Sequence, residues 1–546
     1  METTAKVPKQ PLERFLEILP GFTAWSILIL PFALAPFIPI VVSYFILLFN
    51  LYWFLKAMNL MRHMIGGFRR MWRNMKIDFL ERCKKVSTDP EKYLKSLASK
   101  YRTKPTSLDK IDYLEIDNIS NNFANIKNWE DIYQIVFITN YKESFEITDP
   151  TYEAVQNSNF PNERIIIVSC GEKRDEEGYT VVASEIQKKY TGVFADIFYF
   201  MHEVEPGEAV GKGANLYSAG HKFMKEFTVK YPKLDPENAL VTTLDADHIV
   251  HKEYFSILTY KYIIDPNRDR KTYQPVPLLF NNIWDAPSPS RVLAVASSFW
   301  QMIEAMRPYR LRTFASHTQS LKTLLVTDFW SNKTIVEDGH QYWRTYFAFH
   351  GDHEMVPILM PIYHDTVLAE SFWGTLKNQY MQRRRWAWGI SDFPFIVLNY
   401  RKHPEIPRGE KFLQTFRLFA GNISWSTASF LIAFAGIPLL FNTSFQDSVL
   451  AHQVPTFSSN MLTLAYIALI ANVWIYFLLL PPLPDRHKKT KAFRYFGMVF
   501  QWFIAPIVSI FFSSLPALES QTRLMLGQSL NVFWVTPKIR ISDKKK

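Results

Sequence analysis

Two cysteines in 546 residues, Cys83 and Cys170, are too few for a disulfide framework and lack the paired spacing of a zinc site. Both fall in a stretch assigned below to the cytosol, where thiols stay reduced. Internal repeats and low-complexity tracts are absent, which excludes solenoids and long disordered tails. Charged residues, 21% of the chain, are missing altogether from residues 18–55, 418–446, 448–484 and 495–518. Each of these stretches is long enough for at least one helix of ~20 residues, the length that crosses a hydrocarbon core. A secretory leader does not explain the first, which is too long and has no small-residue cleavage site.

A net charge of +11 raises the question of nucleic acid. The basic residues gather instead beside the apolar stretches, at Arg62-His63, Arg69-Arg70, Arg73 and residues 486–494, as cytoplasmic flanks of membrane spans do. No nucleic-acid partner is expected. As one helix, residues 18–55 would run about 57 Å, well beyond a ~30 Å core. Pro31, Pro36 and Pro39 favour a break, so two spans joined near Pro36 are expected. Residues 1–58 thus read as an N-terminal anchor of two spans, and 59–130 as interfacial helices and a linker. Residues 411–546 read as about three further spans with a basic tail. Residues 442–460 carry no Lys or Arg and are expected outside, and 486–494 inside. Three C-terminal spans would leave the basic tail outside, against that charge rule, unless Pro506 and Pro516 make the last segment re-entrant.

Residues 131–410 differ in pattern. The runs at 132–138, 164–169 and 239–244 are short, β-branched and apolar, and end at turn residues, as strands buried on both faces of a parallel sheet do. Helix-like segments at 151–156 and 181–190 alternate with them. An α/β domain follows: a mostly parallel sheet flanked by helices, beside an α-helical transmembrane region.

Three groups of residues carry chemistry. Asp245-Ala246-Asp247 follows the third strand. Alone it suits a solvated turn, but at the carboxyl end of a buried strand it suits Mg²⁺ or Mn²⁺ beside a diphosphate. Glu337-Asp338 is either the acidic start of a helix or a general base for an acceptor hydroxyl. Gln382-Arg383-Arg384-Arg385-Trp386 is either a basic interfacial anchor or a diphosphate contact with an aromatic face for a sugar.

In this order, and ahead of C-terminal spans, Asp-x-Asp, Glu-Asp and Gln-x-x-Arg-Trp resemble family 2 glycosyltransferases, specifically membrane synthases of the cellulose, chitin and hyaluronan type. The resemblance implies a GT-A-like catalytic domain and inverting transfer from a nucleotide sugar, by family default a UDP-sugar, with Mg²⁺ or Mn²⁺. By the same resemblance Asp245 and Asp247 hold the metal, Asp245 also meeting the donor. Asp338 is the base and Glu337 supports it, while Gln382, Arg385 and Trp386 border acceptor and diphosphate. Thr139, Tyr141 and Glu143 occupy the place of the family's opening Pro-x-Tyr-Asn-Glu, and Lys212 and Asn215 that of its lysine loop. Here Pro and Asn of the first motif are replaced. The second strand ends in Ser169-Cys170-Gly171-Glu172 rather than the family's base-reading Asp, which leaves the nucleobase open.

The expected partners are therefore a nucleotide-sugar donor, a glycan or lipid-linked acceptor, and membrane lipids. The expected setting is multi-pass, with the catalytic domain cytosolic at the cell membrane. Processive polymer synthesis and single transfer both remain open. The competing class is a transporter or scaffold without catalysis, which normally carries charged intramembrane residues along a substrate path. The apolar stretches here carry none.

Overall fold

A computed structural model describes residues 10–103, 110–434, 436, 437, 439, 442–530, 534–536, 539 and 540. Its centre is an eight-stranded mixed sheet: β1 (Tyr133–Thr139), β2 (Ile165–Glu172), β3 (Asp196–His202), β4 (Ala239–Asp245), β5 (Ile249–Val250), β6 (Lys271–Leu278), β7 (Thr318–Ser320) and β8 (Glu354–Tyr363). In space the order is β3-β2-β1-β4-β7-β6-β8-β5. The β1–β2, β2–β3, β1–β4 and β6–β8 pairs are parallel, and only short β5 and β7 pair antiparallel. This is a mostly parallel α/β sheet flanked by helices, with a helical apolar region beside it.

Strand alternation builds two cores. Val136 and Ile138 of β1, Ile165 and Ile167 of β2, and Leu240 and Leu244 of β4 enter one cluster. Their neighbours Ile135, Phe137, Ile166, Val168, Ala239 and Val241 enter another on the opposite face. A side-chain period of two with both faces covered is why these strands read as continuous apolar runs. Helices Phe145–Gln156 and Glu176–Tyr190 contain the two segments expected to be helical. The first begins six residues earlier than the sequence suggested, with Pro150 inside it. Strands β6 and β8 had no counterpart in the sequence reading. Pro275, Pro277, Pro357 and Pro361 interrupt them, and prolines argue against a central strand until a bulge accommodates them. Such an irregularity lies between Gln274 and Val276.

Among the described residues, three helical segments are long and apolar enough to cross a membrane: Pro11–Leu34, Pro39–Asn74 and Asp485–Met525. The first two are joined by a turn at Pro36. Pro39–Asn74 runs about 54 Å, so its end leaves any bilayer and packs on the sheet domain. There Met64 and Met71 join the cluster of Leu278, Met302 and Leu359. Helices Arg408–Phe434 and Val449–Leu479 cover the other charge-free stretches, parts of which lie outside the described residues. The Asp485–Met525 segment is broken into short helical pieces, including a π-helical turn at Ile510–Ser514. Both its ends meet the sheet domain: Arg486 and His487 bond Asp285, and Glu519 bonds Arg384 and Tyr380. Asn442, at the other end of the helical region, donates to the carbonyl of Pro36.

Gly171, near the end of β2, lets the Tyr179 ring lie against the strand, where its hydroxyl donates to the Ser169 carbonyl. A Cβ at Gly171 would stand 2.2 Å from that ring. Gly171→Ala is therefore expected to destabilise the domain by about 1–3 kcal/mol, the usual range for overpacking. Thermal unfolding of the purified variant reads this directly, and a wild-type melting temperature would show that the ring moves aside freely.

Candidate functional site

The parallel register aligns the ends of three strands. Thr139 stands opposite both Cys170 and Asp245, so the β1, β2 and β4 carboxyl ends open together onto one cleft. This is where open α/β sheets place ligands. Buried Cys170 has its thiol pushed up by desolvation and is no nucleophile there.

Asp245 is half-buried and Asp247 buried. Asp247 Oδ2 accepts the backbone N–H of Asp365 at 2.9 Å. His248 completes the turn. Its Nδ1 accepts the Asp245 N–H at 3.0 Å, leaving Nε2 3.3 Å from Asp245 Oδ2 and 3.9 Å from Asp247 Oδ1. The three residues offer ligand atoms within 4.8 Å of one another. Two carboxylates and an imidazole suit a divalent cation such as Mn²⁺ or Mg²⁺. The His248 ring stacks on His364, centroids 3.6 Å apart.

Lys212 opens helix Lys212–Lys230, and its Nζ reaches Asp245 Oδ1 at 2.5 Å and the Ala315 carbonyl at 3.1 Å. Gly213 follows because nothing larger fits. A Cβ there would stand 2.8 Å from Glu337 Cβ and 2.5 Å from the Ser331 carbonyl. One turn on, buried Asn215 donates to the Cys170 carbonyl at 3.4 Å.

Glu337 and Asp338 form the first turn of helix Glu337–Ala348, so the helix-start reading of this pair holds as a matter of structure. The location also faces the site. Burial, then the neighbouring Asp338, push Glu337 up to about 8, against the pull of Lys212 and Arg385. Its Oε2 is buried and has no hydrogen-bond partner among the described residues. Asp338 is likewise raised, by burial first and by Asp245, while the Gly339 N–H, Arg385 and Lys212 oppose the shift. Asp338 Oδ1 accepts that Gly339 N–H at 2.8 Å.

The arginine triplet divides its work because successive helix positions turn by about 100°. Arg383 is buried against the Leu293 carbonyl, and Arg384 pairs with Glu519 at 2.8 Å. Arg385 alone feels Glu337, Asp338 and Asp245. Gln382, Arg385 and Trp386 share one face of helix Phe372–Ala387 by their i, i+3 and i+4 spacing. Trp386 is half-buried, with the Arg383 guanidinium 4.7 Å from its ring centroid.

Beyond the end of β1, Glu143 accepts the Tyr141 N–H at 2.7 Å, and the Arg174 guanidinium lies 4.4 Å from the Tyr141 ring. Arg174 also pairs with buried Glu172, the residue that ends β2. Thr139 donates to the Leu244 carbonyl at 3.4 Å.

Three neighbours escaped the sequence reading: His248, Asp365 and Arg540. Arg540 in the tail makes a two-pronged pair with buried Asp365, at 2.9 and 3.1 Å, and approaches the Asp247 carbonyl. His248 follows Asp247 directly, so an Asp-x-Asp-His string was the available signal. Arg540 gave none.

No protein-family model and no curated protein matches the chain. Among solved structures it is similar to the mannosyltransferase PcManGT from Pyrobaculum calidifontis in complex with GDP-Man and Mn²⁺. That match has 12% identity and a TM-score of 0.35, and covers 66% of this chain and 98% of that one. It is also similar to S. aureus TarS 1-349 in complex with UDP, at 12% identity and a TM-score of 0.28, covering 61% of this chain and 90% of that one. A third is GalNAc-T7 with UDP, GalNAc and Mn²⁺, at 12% identity and a TM-score of 0.30, covering 54% and 57%.

The raised Glu337 has a consequence for stability. Below about pH 4.5, its ordinary value, the carboxyl is protonated in folded and unfolded chains alike. As pH climbs toward 8 the unfolded chain releases that proton more readily, so folding loses stability across this window. Glu337→Gln cannot titrate and is expected to flatten the decline. Melting curves from pH 5 to 8 with divalent cations chelated measure it, and an unchanged slope in the variant would remove Glu337 as the source.

Proposed function

We propose that the protein is a membrane-embedded, inverting glycosyltransferase that uses a metal-bound nucleotide sugar, by family resemblance of the family 2 synthase type. The observation that carries this reading is the meeting, at the strand ends, of Asp245, Asp247 and His248 with Lys212, Arg385 and the Glu337-Asp338 pair. Acids for a cation, cations for a diphosphate and a basic carboxylate are what sugar transfer from a nucleotide diphosphate needs.

Asp245, Asp247 and His248 would hold Mg²⁺ or Mn²⁺, which when bound neutralises charge on the leaving diphosphate. Arg385 and Lys212 supply further positive charge to its oxygens. Tyr141, with Thr139, Glu143 and Asn215 around the neighbouring strand ends, borders the nucleoside. Gln382 and Trp386 border the acceptor. In the transfer, an acceptor hydroxyl oxygen bonds to the sugar's anomeric carbon as the bond from that carbon to the diphosphate oxygen breaks. The hydroxyl proton passes to an Asp338 carboxylate oxygen. A carboxylate raised above its ordinary range is a stronger base for that step, while Glu337 holds a second proton or charge beside it.

The acceptor is a glycan or a lipid-linked sugar, transferred to once or processively. The sheet domain lies on the cytosolic face of the cell membrane. The Asp485–Met525 segment dips into the bilayer and returns. Support comes from both ends contacting the sheet domain and from Arg540 reaching Asp365, and a basic tail on the cytosolic side is in keeping with the charge rule.

Asp338→Asn keeps the shape of the side chain but cannot take the proton. Turnover of nucleotide sugars is expected to fall ~10²–10⁴-fold with metal-dependent donor binding retained. Asp247→Ala should lose that binding as well. A purified Asp338→Asn enzyme at half of normal turnover would rule out the base.

The topology has its own test. Single cysteines at Lys489 and Ser448 are to be exposed to an impermeant thiol reagent on intact cells, in a background lacking the native cysteines. Labelling is expected at 448 only; labelling at 489 would overturn the orientation.

A further inference from the structure

A second group of metal-ligating side chains lies away from the cleft. His350 lies in the turn just after helix Glu337–Ala348, in the left-handed region at φ 54°, with Gly351 following at φ 90°. His403 and Glu405 flank Pro404 in the turn that leads into helix Arg408–Phe434. The two turns are packed together, since buried Ile406 would stand 3.0 Å from a Cβ at Gly351, and Tyr346 donates to Glu410 at 2.7 Å.

We propose that His350, His403 and Glu405 form a surface binding site for a divalent transition-metal ion, with zinc the best match to the donor set. Their ligand atoms lie within 4.8 Å of one another. Both imidazoles present Nδ1, and both meet the same Glu405 oxygen at 2.8 Å. Two imidazoles and a carboxylate are the protein ligands of an open tetrahedral zinc centre, whose fourth position takes water. At zinc bond lengths of about 2.0 Å, tetrahedral ligand atoms sit about 3.3 Å apart, so each contact has to open by only about half an ångström.

The surroundings suit that change. The His403 ring is held against Phe347, centroids 5.3 Å apart, which fixes its direction. His350 and Glu405 are exposed, which leaves room both for adjustment and for a water ligand. Holding a histidine at positive φ is uncommon and carries a cost, which a bound cation would offset. Occupied, the site would tie the far end of the Glu337–Ala348 helix to the base of the Arg408–Phe434 helix. The site is independent of the sugar-transfer reading, because it shares no residue with the cleft.

The test uses the full-length, detergent-solubilised protein, stripped with chelator. Asp247→Ala serves as background so that the cleft's acidic pair does not compete. Zinc titration by calorimetry is expected to show one equivalent bound at micromolar dissociation constant or tighter, with a rise in melting temperature. Cobalt substitution should give the visible absorption of a tetrahedral centre. His350→Asn with His403→Gln is expected to weaken zinc at least tenfold and abolish the melting shift, Asn being tolerant of the left-handed backbone. Glu405→Gln, which leaves both rings in place, should weaken it as well and guards against misfolding of the double variant. Equal zinc affinity in all these proteins, or saturation only above ~100 μM, would mean that the trio is an ordinary His–Glu–His hydrogen-bonded cluster.

Discussion

Carboxylates crowded into a half-buried cleft repel one another and lose hydration, so they stay there only if cations stand among them. Asp245, Asp247, Glu337 and Asp338 meet that condition through Lys212 and Arg385, which arrive on two different helices. Much of the surrounding architecture follows. Lys212 must begin its helix beside β4, and Gly213 must be bare so that Glu337 can approach. Arg385 must come from a helix that is itself held by Arg383 and Arg384. The compensation is incomplete, as the raised Glu337 records. Desolvation is the larger cause, so at neutral pH the site keeps Glu337 protonated rather than carrying a further negative charge there.

How far the sequence disclosed this depends on the distance over which each relation acts. The strands β1, β2 and β4 were legible because burial on both faces leaves continuous apolar runs. Asp245 and Asp247 were legible because they follow such a run directly. Strands β6 and β8 were not, since their prolines suppress the pattern and only tertiary pairing with the bulge restores it. The Glu337-Asp338 pair was legible as acidic but ambiguous. Any helix start attracts carboxylates, and the deciding neighbours, Lys212 and Arg385, lie far away in the chain. Asp365 and Arg540 could not have been read at all. Their relation to Asp247 spans 118 and 293 residues and leaves no local mark.

The apolar region was legible in composition but less so in path. Absence of charge marks where a helix tolerates lipid, and the turn at Pro36 follows from proline chemistry. Composition does not say where a helix goes once it leaves the apolar layer. Pro39–Asn74, long and apolar enough to cross a membrane, continues onto the sheet domain through Met64, Met71 and Asn74. The Asp485–Met525 segment likewise shows apolar length without continuous helix, and its attachments at Asp285 and Arg384 define its course better than hydropathy does.

The three arginines of the Gln382–Trp386 stretch look like one motif and behave as three separate obligations. Arg384 answers to Glu519, which Tyr380 and Arg523 also hold, so exchanging the two charges would set an arginine at 519 against Arg523. Arg383 answers to a backbone carbonyl and to the Ser297 hydroxyl together. Arg385 answers to several acids at once, so no single partner's change can compensate its loss. Inserting one residue into this helix would swing all three by about 100° and break every obligation together. Descendants of such a chain are thus held at 383, 384 and 385 together, with the length of the helix between them fixed.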